Sequence, residues 1–313
     1  MEHSRREFLG ASAAAAAALA AGAASRPTKD DISLAAWSIN RSFFVAKKWK
    51  NLDLPRICRE EFSINGLEFV NQFFENPVMG HLNQLKRNAN EHGVTLVLIM
   101  VDGEGDMAAR EKKERIQAAI AHRKWVDTAH YLGCHAIRCN MGGPRQDWKE
   151  DKDLVSRAAE SFNHLLEYAK GADLNVVIEN HGGASSNPDV LVSVMKAVNN
   201  PNFGTLPDFG NINPGDDHAE VIRRIVPYAK GVSVKSSWAP DGTHPGWDLE
   251  KLIKICQDAG YHGFWGIESG FGRVGRGAPQ AQEQLTPEQI WENESKGVRL
   301  TKAVLERTVL KKA

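Results

Sequence analysis

The sequence predicts a (β/α)8 TIM barrel of the α/β class, a single domain over residues 31–305, and three observations carry that prediction. From residue 31 onward a short apolar run is followed by a longer amphipathic one, and the pattern repeats eight times. Runs such as Val94–Val101 and Asn175–Glu179 are nearly continuous in apolar residues, as strands buried on both faces of a parallel sheet must be. No internal repeat and no Pro/Ser-rich linker divides the chain after residue 30, so its 313 residues read as one barrel rather than two domains. A doubly wound sheet with an added domain is the alternative topology.

The elements follow in order. Strand one, Ile32–Trp37, leads to a helix at Leu54–Phe62, and strand two, Gly66–Val70, to one at Met79–His92. Strand three, Val94–Val101, precedes the helix Ala108–Leu132, and strand four, His135–Asn140, precedes Asp153–Gly171. Strand five, Asn175–Glu179, is followed by Pro188–Val198, where Pro188 after Ser186-Asn187 suits a first helical turn. Strand six, Phe203–Asp208, leads to Ala219–Lys230, and strand seven, Gly231–Ser236, to Leu249–Gly260. Strand eight, Phe264–Glu268, runs through a Gly/Pro/Gln-rich loop, Gly270–Pro287, to a closing helix at Glu288–Leu305. Glycines 93, 133, 171 and 260 each stand just past a helix end, the usual place for the residue that stops one.

Composition bounds the function. The 39 Lys+Arg balance 39 Asp+Glu, and a pI near 7.2 removes the general electrostatic drive toward nucleic acid or an anionic membrane. Four cysteines (58, 134, 139 and 256) are too few for a disulfide scaffold and read as buried thiols. At the N-terminus, Ser4-Arg5-Arg6-Glu7-Phe8-Leu9 precedes Ala11–Ala24, in which eleven of fourteen residues are Ala. This resembles a twin-arginine export signal. The resemblance implies a cleaved segment over residues 1–25, the export machinery as a partner, a periplasmic or extracytoplasmic location and a cofactor loaded before export. The alternatives are an Ala-rich helix of the fold and a retained anchor over Phe8–Ser25, 18 uncharged residues. Without residues 1–25 the balance is still neutral, 37 against 37, and no membrane contact is expected.

Barrels of this class carry their sites at the C-terminal ends of the strands. There this sequence places Trp37, Glu68, Asn71, Asp102, Arg138, Asn140, Glu179-Asn180-His181, Asp208, Asn211, Ser233, Lys235 and Glu268. Several carboxylates converging on one axis repel unless a cation or a proton relay compensates them. Glu179, Asp208 and Glu268, on strands five, six and eight, are the arrangement that an oxygen-preferring divalent ion needs. Alternatively each carboxylate caps a helix or pairs with Arg or Lys, and Pro207-Asp208-Phe209-Gly210-Asn211 is simply a turn.

Four segments taken together resemble the successive signatures of the xylose-isomerase-like sugar isomerase/epimerase superfamily. They are Ile178–Gly183, Leu206–Asn211, Val232-Ser233-Val234-Lys235 and Gly260-Tyr261-His262-Gly263-Phe264-Trp265-Gly266-Ile267-Glu268, in family order and spacing. The resemblance implies that Glu179, Asp208 and Glu268 hold a divalent metal, Mn or Mg first and Zn or Co as alternatives. It also implies that Glu179 and Glu268 are the paired acid and base of a carbohydrate isomerase or epimerase. The family's fourth ligand, His or Gln, falls on Ser233, and its histidine after the strand-six aspartate falls on Asn211. The metal is then held more weakly, or its shell is completed by water, and the Lys235 ammonium takes over part of its electrostatic role or stabilises an enolate oxygen. Arg138 and Asn140 are expected to bind substrate hydroxyls or a carboxylate, His181 to hydrogen-bond substrate, with a substitute metal ligand or a structural histidine as its alternatives, and Trp37 and Trp238 to offer apolar faces to a sugar ring. Trp265, inside strand eight, is expected in the core. Two other outcomes remain: a lyase or hydrolase that acts on 3-keto glycosides by β-elimination, and a non-catalytic sugar-binding barrel that has lost its metal. A homo-oligomer is compatible with all three. The DNA-repair endonucleases that share this barrel need several His ligands and a basic face, which a neutral chain without those histidines lacks.

Overall fold

Each of the eight apolar runs forms a strand, and all seven pairings between neighbouring strands are parallel. The computed structural model describes residues 29–144, 147–272 and 285–310; the signal-like segment 1–25 and most of the loop after strand eight lie outside the described residues. The strands are β1 (Asp31–Ala35), β2 (Gly66–Val70), β3 (Thr95–Val101), β4 (Ala136–Cys139), β5 (Asn175–Glu179), β6 (Phe203–Leu206), β7 (Val232–Trp238) and β8 (Phe264–Phe271). They are ordered β6-β5-β4-β3-β2-β1-β8-β7. The barrel is closed between β6 and β7 by short bridges, in which the Ser233 amide donates to Pro207 O at 2.9 Å and the Phe209 amide to Ser233 O at 3.1 Å.

Nine α-helices stand among the described residues: α1 (Asn40–Phe44), α2 (Leu54–Arg56), α3 (Met79–His92), α4 (Lys112–Leu132), α5 (Leu154–Ala169), α6 (Pro188–Val198), α7 (His218–Ile225), α8 (Leu249–Asp258) and α9 (Pro287–Thr308). None of the described helices is long and apolar enough to cross a membrane. Gly93 and Gly133 end α3 and α4 in the left-handed conformation, where a side chain would be strained. The four cysteines are buried free thiols.

Where boundaries differ from the sequence pattern, hydrogen-bond chemistry explains the shift. The expected helix Leu54–Phe62 is only one α-turn, widened into a π-turn over Ile57–Glu61 that brings the Cys58 thiol onto the Gly66 carbonyl at 3.1 Å. The helix expected from Ala108 begins at Lys112, because the Asp106 carboxylate accepts from the amides of Ala108 and Gly143 and holds the preceding residues as a loop. The helix expected to Lys230 stops at Ile225, just before the 3-10 turn Val226–Tyr228 that carries Pro227, which has no amide to continue the ladder. Strand β6 ends at Leu206 for the same reason, ahead of Pro207. Strands β7 and β8 run longer than expected because they remain paired as far as Trp238 and Phe271.

The interior of the barrel is partly polar. Glu68 on β2 accepts from Ser33 Oγ on β1 at 2.5 Å and is 1% exposed. It fits there because β8 offers a glycine opposite: a Cβ on Gly266 would lie 2.7 Å from Glu68 Oε2. The floor beneath the strand ends is therefore a buried acid.

Candidate metal centre and active site

The ends of β5, β6 and β8 bring three carboxylates together. One oxygen each of Glu179, Asp208 and Glu268 lies within 4.8 Å of the others, and all three residues are buried. Local chemistry aims each of them. Asn180 donates to the Asp208 and Asn211 carbonyls, at 2.9 and 3.2 Å, and accepts from the Asp208 amide at 2.7 Å, tying the end of β5 to the end of β6. Asp208 Oδ1 accepts the amides of Gly210 and Asn211, so the turn expected there exists. Its other oxygen, Oδ2, points the opposite way and accepts from Ser233 Oγ at 2.8 Å.

Two cations face the carboxylates. Lys235 stands opposite Glu268 in the β7–β8 ladder; its ammonium donates to Glu268 Oε1 and lies 3.6 Å from Asp208 Oδ2. Arg138 on β4 donates to Asp102 Oδ1 at 2.6 Å and to Asn140 Oδ1 at 3.2 Å, while its Nε lies 2.9 Å from Glu179 Oε2 without aligning a hydrogen on it. Asn140 in turn donates to Asp102 Oδ1, and Asn211 donates to Glu179 Oε1 at 2.7 Å.

The charges do not cancel. Asp102, Glu179, Asp208 and Glu268 against Arg138 and Lys235 leave two negative charges when all are ionised. Burial raises the Glu179 carboxyl above the usual range, and the Glu268 charge adds to it, although Arg138 opposes. Burial likewise pushes Asp208 to about 7, with Lys235 opposing and the two glutamates reinforcing. Burial works against the Lys235 charge, but Asp208, Glu268 and Glu179 outweigh it and keep the ammonium protonated. Glu68 beneath them is pushed to about 7, chiefly by burial.

Three buried carboxylates, one of them with an oxygen lacking any hydrogen-bond partner, form the all-oxygen donor set of a hard divalent ion, and they could hold one. Among the described residues these three are the carboxylates that converge. Ser233 lies against Asp208, where its hydroxyl is spent on the carboxylate.

The other expected residues divide. Asn140 and His181 line a cleft of about 520 Å³ beside the triad, with Met141–Pro144 and Gly182–Ser185 as its walls. Arg138, expected at substrate, is 4% exposed and its guanidinium is committed to Asp102, Asn140 and Glu179. Trp37 stands half-buried just after β1, edge-on to Phe44 and Phe73. Trp238 does not face the site. Side chains alternate along β7, so Ser233 and Lys235 point inward, while Ser236 and Trp238 point out and both hydrogen-bond Thr301 of α9. Trp265 is fully buried, as expected.

Three residues to which the sequence assigns no role in the site also serve it. Trp247, in the loop between β7 and α8, donates its indole N–H to Lys235 O at 3.2 Å and stacks on His218 at 5.3 Å. Its ring covers Gly210, where a Cβ would meet it at 2.7 Å. Asn180 was visible inside the run Glu179-Asn180-His181, and Glu68 as a lone charge in the apolar strand Gly66–Val70.

Comparison with known proteins places this geometry. No curated protein matches the chain in sequence at a significant level. Among solved structures, an L-ribulose 3-epimerase superposes with TM-score 0.66 at 13% identity, covering 90% of this chain and 95% of that one. The 3-keto-D-glucoside 4-epimerase from E. coli gives TM-score 0.58 at 15% identity, over 85% of this chain and 99% of its own. A xylose isomerase-like TIM barrel protein from Mycobacterium smegmatis, in complex with magnesium, gives 0.59 at 14% identity, over 89% and 98%. At these identities the likeness is one of fold. The sequence model of the xylose isomerase-like TIM barrel family matches residues 60–294, about three quarters of the chain, and the protein belongs to that family.

Proposed function

We propose that this protein is a carbohydrate isomerase or epimerase that moves a proton at the carbon next to a sugar carbonyl. The observation that carries the reading is the convergence of Glu179, Asp208 and Glu268 at the strand ends of a xylose isomerase-like barrel. Sugar 3- and 4-epimerases among its structural neighbours support it. Glu268 is the base, placed in the barrel mouth by the register of β8 against β7. Glu179, whose proton affinity burial raises, returns a proton to the opposite face or to the neighbouring carbon. Glu179, Asp208 and Glu268 would hold a divalent ion, Mn or Mg, which when bound polarises the carbonyl and offsets the enediolate charge. Lys235 lies where it can donate to the same oxygen. Arg138 orients Glu179 and Asp102 rather than gripping substrate, and Asn140 and His181, lining the adjacent cleft, bind hydroxyls.

A second reading shares the first step. Proton abstraction beside a 3-keto group also permits β-elimination of the glycosidic substituent, and the likeness to a 3-keto-D-glucoside 4-epimerase favours a 3-keto glycoside as substrate. Export through the twin-arginine-like segment 1–25 belongs to the same proposal, because glycosides are the sugars met outside the cytoplasm. Incubating the purified protein and Mn²⁺ with free ketoses and with 3-keto glucosides, with products read by NMR, tests all of this. A new epimer or isomer supports the leading reading and a released aglycone the second. Unchanged substrates throughout contradict both. Cell fractionation of an Arg5→Lys, Arg6→Lys variant tests the location, with retention in the cytoplasm as the expected result.

A further inference from the structure

Two of the three carboxylates that a divalent ion would take already face a cation belonging to the chain. Asp208 has one oxygen to offer, since Oδ1 is bound to the Gly210 and Asn211 amides. The remaining Oδ2 receives the Ser233 hydroxyl at 2.8 Å and has the Lys235 ammonium at 3.6 Å. That same ammonium donates to Glu268 Oε1. Lys235 is not a loose surface chain that happens to fall there. Its backbone is paired with Glu268 in the sheet, its carbonyl holds the Trp247 indole, and its stem passes Gly210, where an added Cβ would lie 2.9 Å from Lys235 Cδ. Glu179 Oε2 has no aligned donor, although Arg138 Nε lies 2.9 Å away, and the hydrogen bond from Lys235 falls on Glu268 Oε1.

We propose that Lys235 is a tethered competitor for the divalent ion: ammonium and ion claim the same two carboxylates, Asp208 and Glu268, so the site takes metal only as the lysine withdraws. Two positive charges within a few ångströms of each other and partly shielded from water repel. The ion therefore gains three carboxylates at the expense of an existing ion pair. The affinity of the site is set by Lys235 together with Ser233, which supplies a hydroxyl rather than an imidazole beside Asp208. Charge within the barrel mouth is partly compensated with no ion bound. This inference rests on the metal-holding part of the proposed function and not on the identity of the sugar.

The test is isothermal titration of Mn²⁺ into the purified, chelator-treated full-length protein. Lys235→Gln, which removes the charge but retains a polar side chain, should bind Mn²⁺ at least tenfold more tightly than wild type. Lys235→Arg, which keeps the charge, should bind no more tightly than wild type. Equal or weaker binding by Lys235→Gln overturns the proposal while leaving the metal site intact. No binding by wild type or Lys235→Gln at millimolar Mn²⁺ overturns the metal site itself, and the competition with it. A crystal structure of the wild type grown with Mn²⁺ gives an answer that does not depend on the variants folding. The expected result is Mn²⁺ on the three carboxylates with Lys235 Nζ moved away from Glu268. Mn²⁺ bound with the Lys235–Glu268 hydrogen bond still in place contradicts the proposal.

Discussion

Lys235 and Glu268 face each other across the β7–β8 ladder, and the lysine ammonium donates to the glutamate carboxylate. The pairing follows from strand register, since both side chains point into the barrel and neither needs a loop to hold it. The carboxylate and the cation beside it are thereby both set on rigid elements.

Arg138 is the cation on the other side, and its loss leaves Asp102 and Glu179 without their charge partner in a buried setting. Arg138→Met should destabilise the fold by about 3 kcal/mol, read as a shift in urea midpoint. A variant as stable as wild type would show that Arg138 does not compensate these carboxylates.

Glu68 should make stability pH-dependent. Its folded pKa, about 7, lies above the ordinary 4.5, so folding favours the protonated acid. The stabilisation is full below pH 4.5 and is lost as pH rises through 7, a change of about 3 kcal/mol at most. Glu68→Gln keeps an acceptor for Ser33 and cannot ionise. Its stability relative to wild type should therefore rise between pH 5 and pH 8, by denaturant titration at both. A difference that is the same at the two pH values would contradict the assignment.

Gly266 should tolerate nothing larger. A methyl there would meet both Glu68 oxygens, in an interior with no room to retreat. Gly266→Ala should cost about 1–3 kcal/mol by thermal or chemical unfolding, and an unchanged midpoint would show that the floor of the barrel can give way.

The tryptophan that ends β7 and the one in the loop after it should separate cleanly. Trp238→Ala should cost about 3–5 kcal/mol of stability, because the indole is buried against α9 and bonded to Thr301, and leave KM unchanged. Trp247→Ala should act mainly on kcat and KM, because the ring supports Lys235 and covers Gly210. The opposite pattern would return Trp238 to the site.

What the sequence made legible was whatever depends on period and on strand ends. The apolar runs located all eight strands, and the polar residues ending three of them named the carboxylates that converge. Trp238 misled because the strand runs two residues past its expected end at Ser236, which sends the indole outward by simple alternation. The ion pair of Arg138 was not legible because the sequence does not reveal that Asp102, from a neighbouring strand end, claims the guanidinium. Glu68 stood in plain view as a charge within an apolar strand, but its partners, Ser33 and the space left by Gly266, come from β1 and β8 and appear only once the barrel closes.

The most direct test of the account is solvent exchange at the reacting carbon. In D2O with Mn²⁺ and an accepted keto sugar, the wild type should place deuterium at the carbon next to the carbonyl, and Glu268→Gln should slow that exchange by at least about a hundredfold while unfolding at the same temperature. Exchange by Glu268→Gln at the wild-type rate would contradict the claim that the converging carboxylates carry the proton.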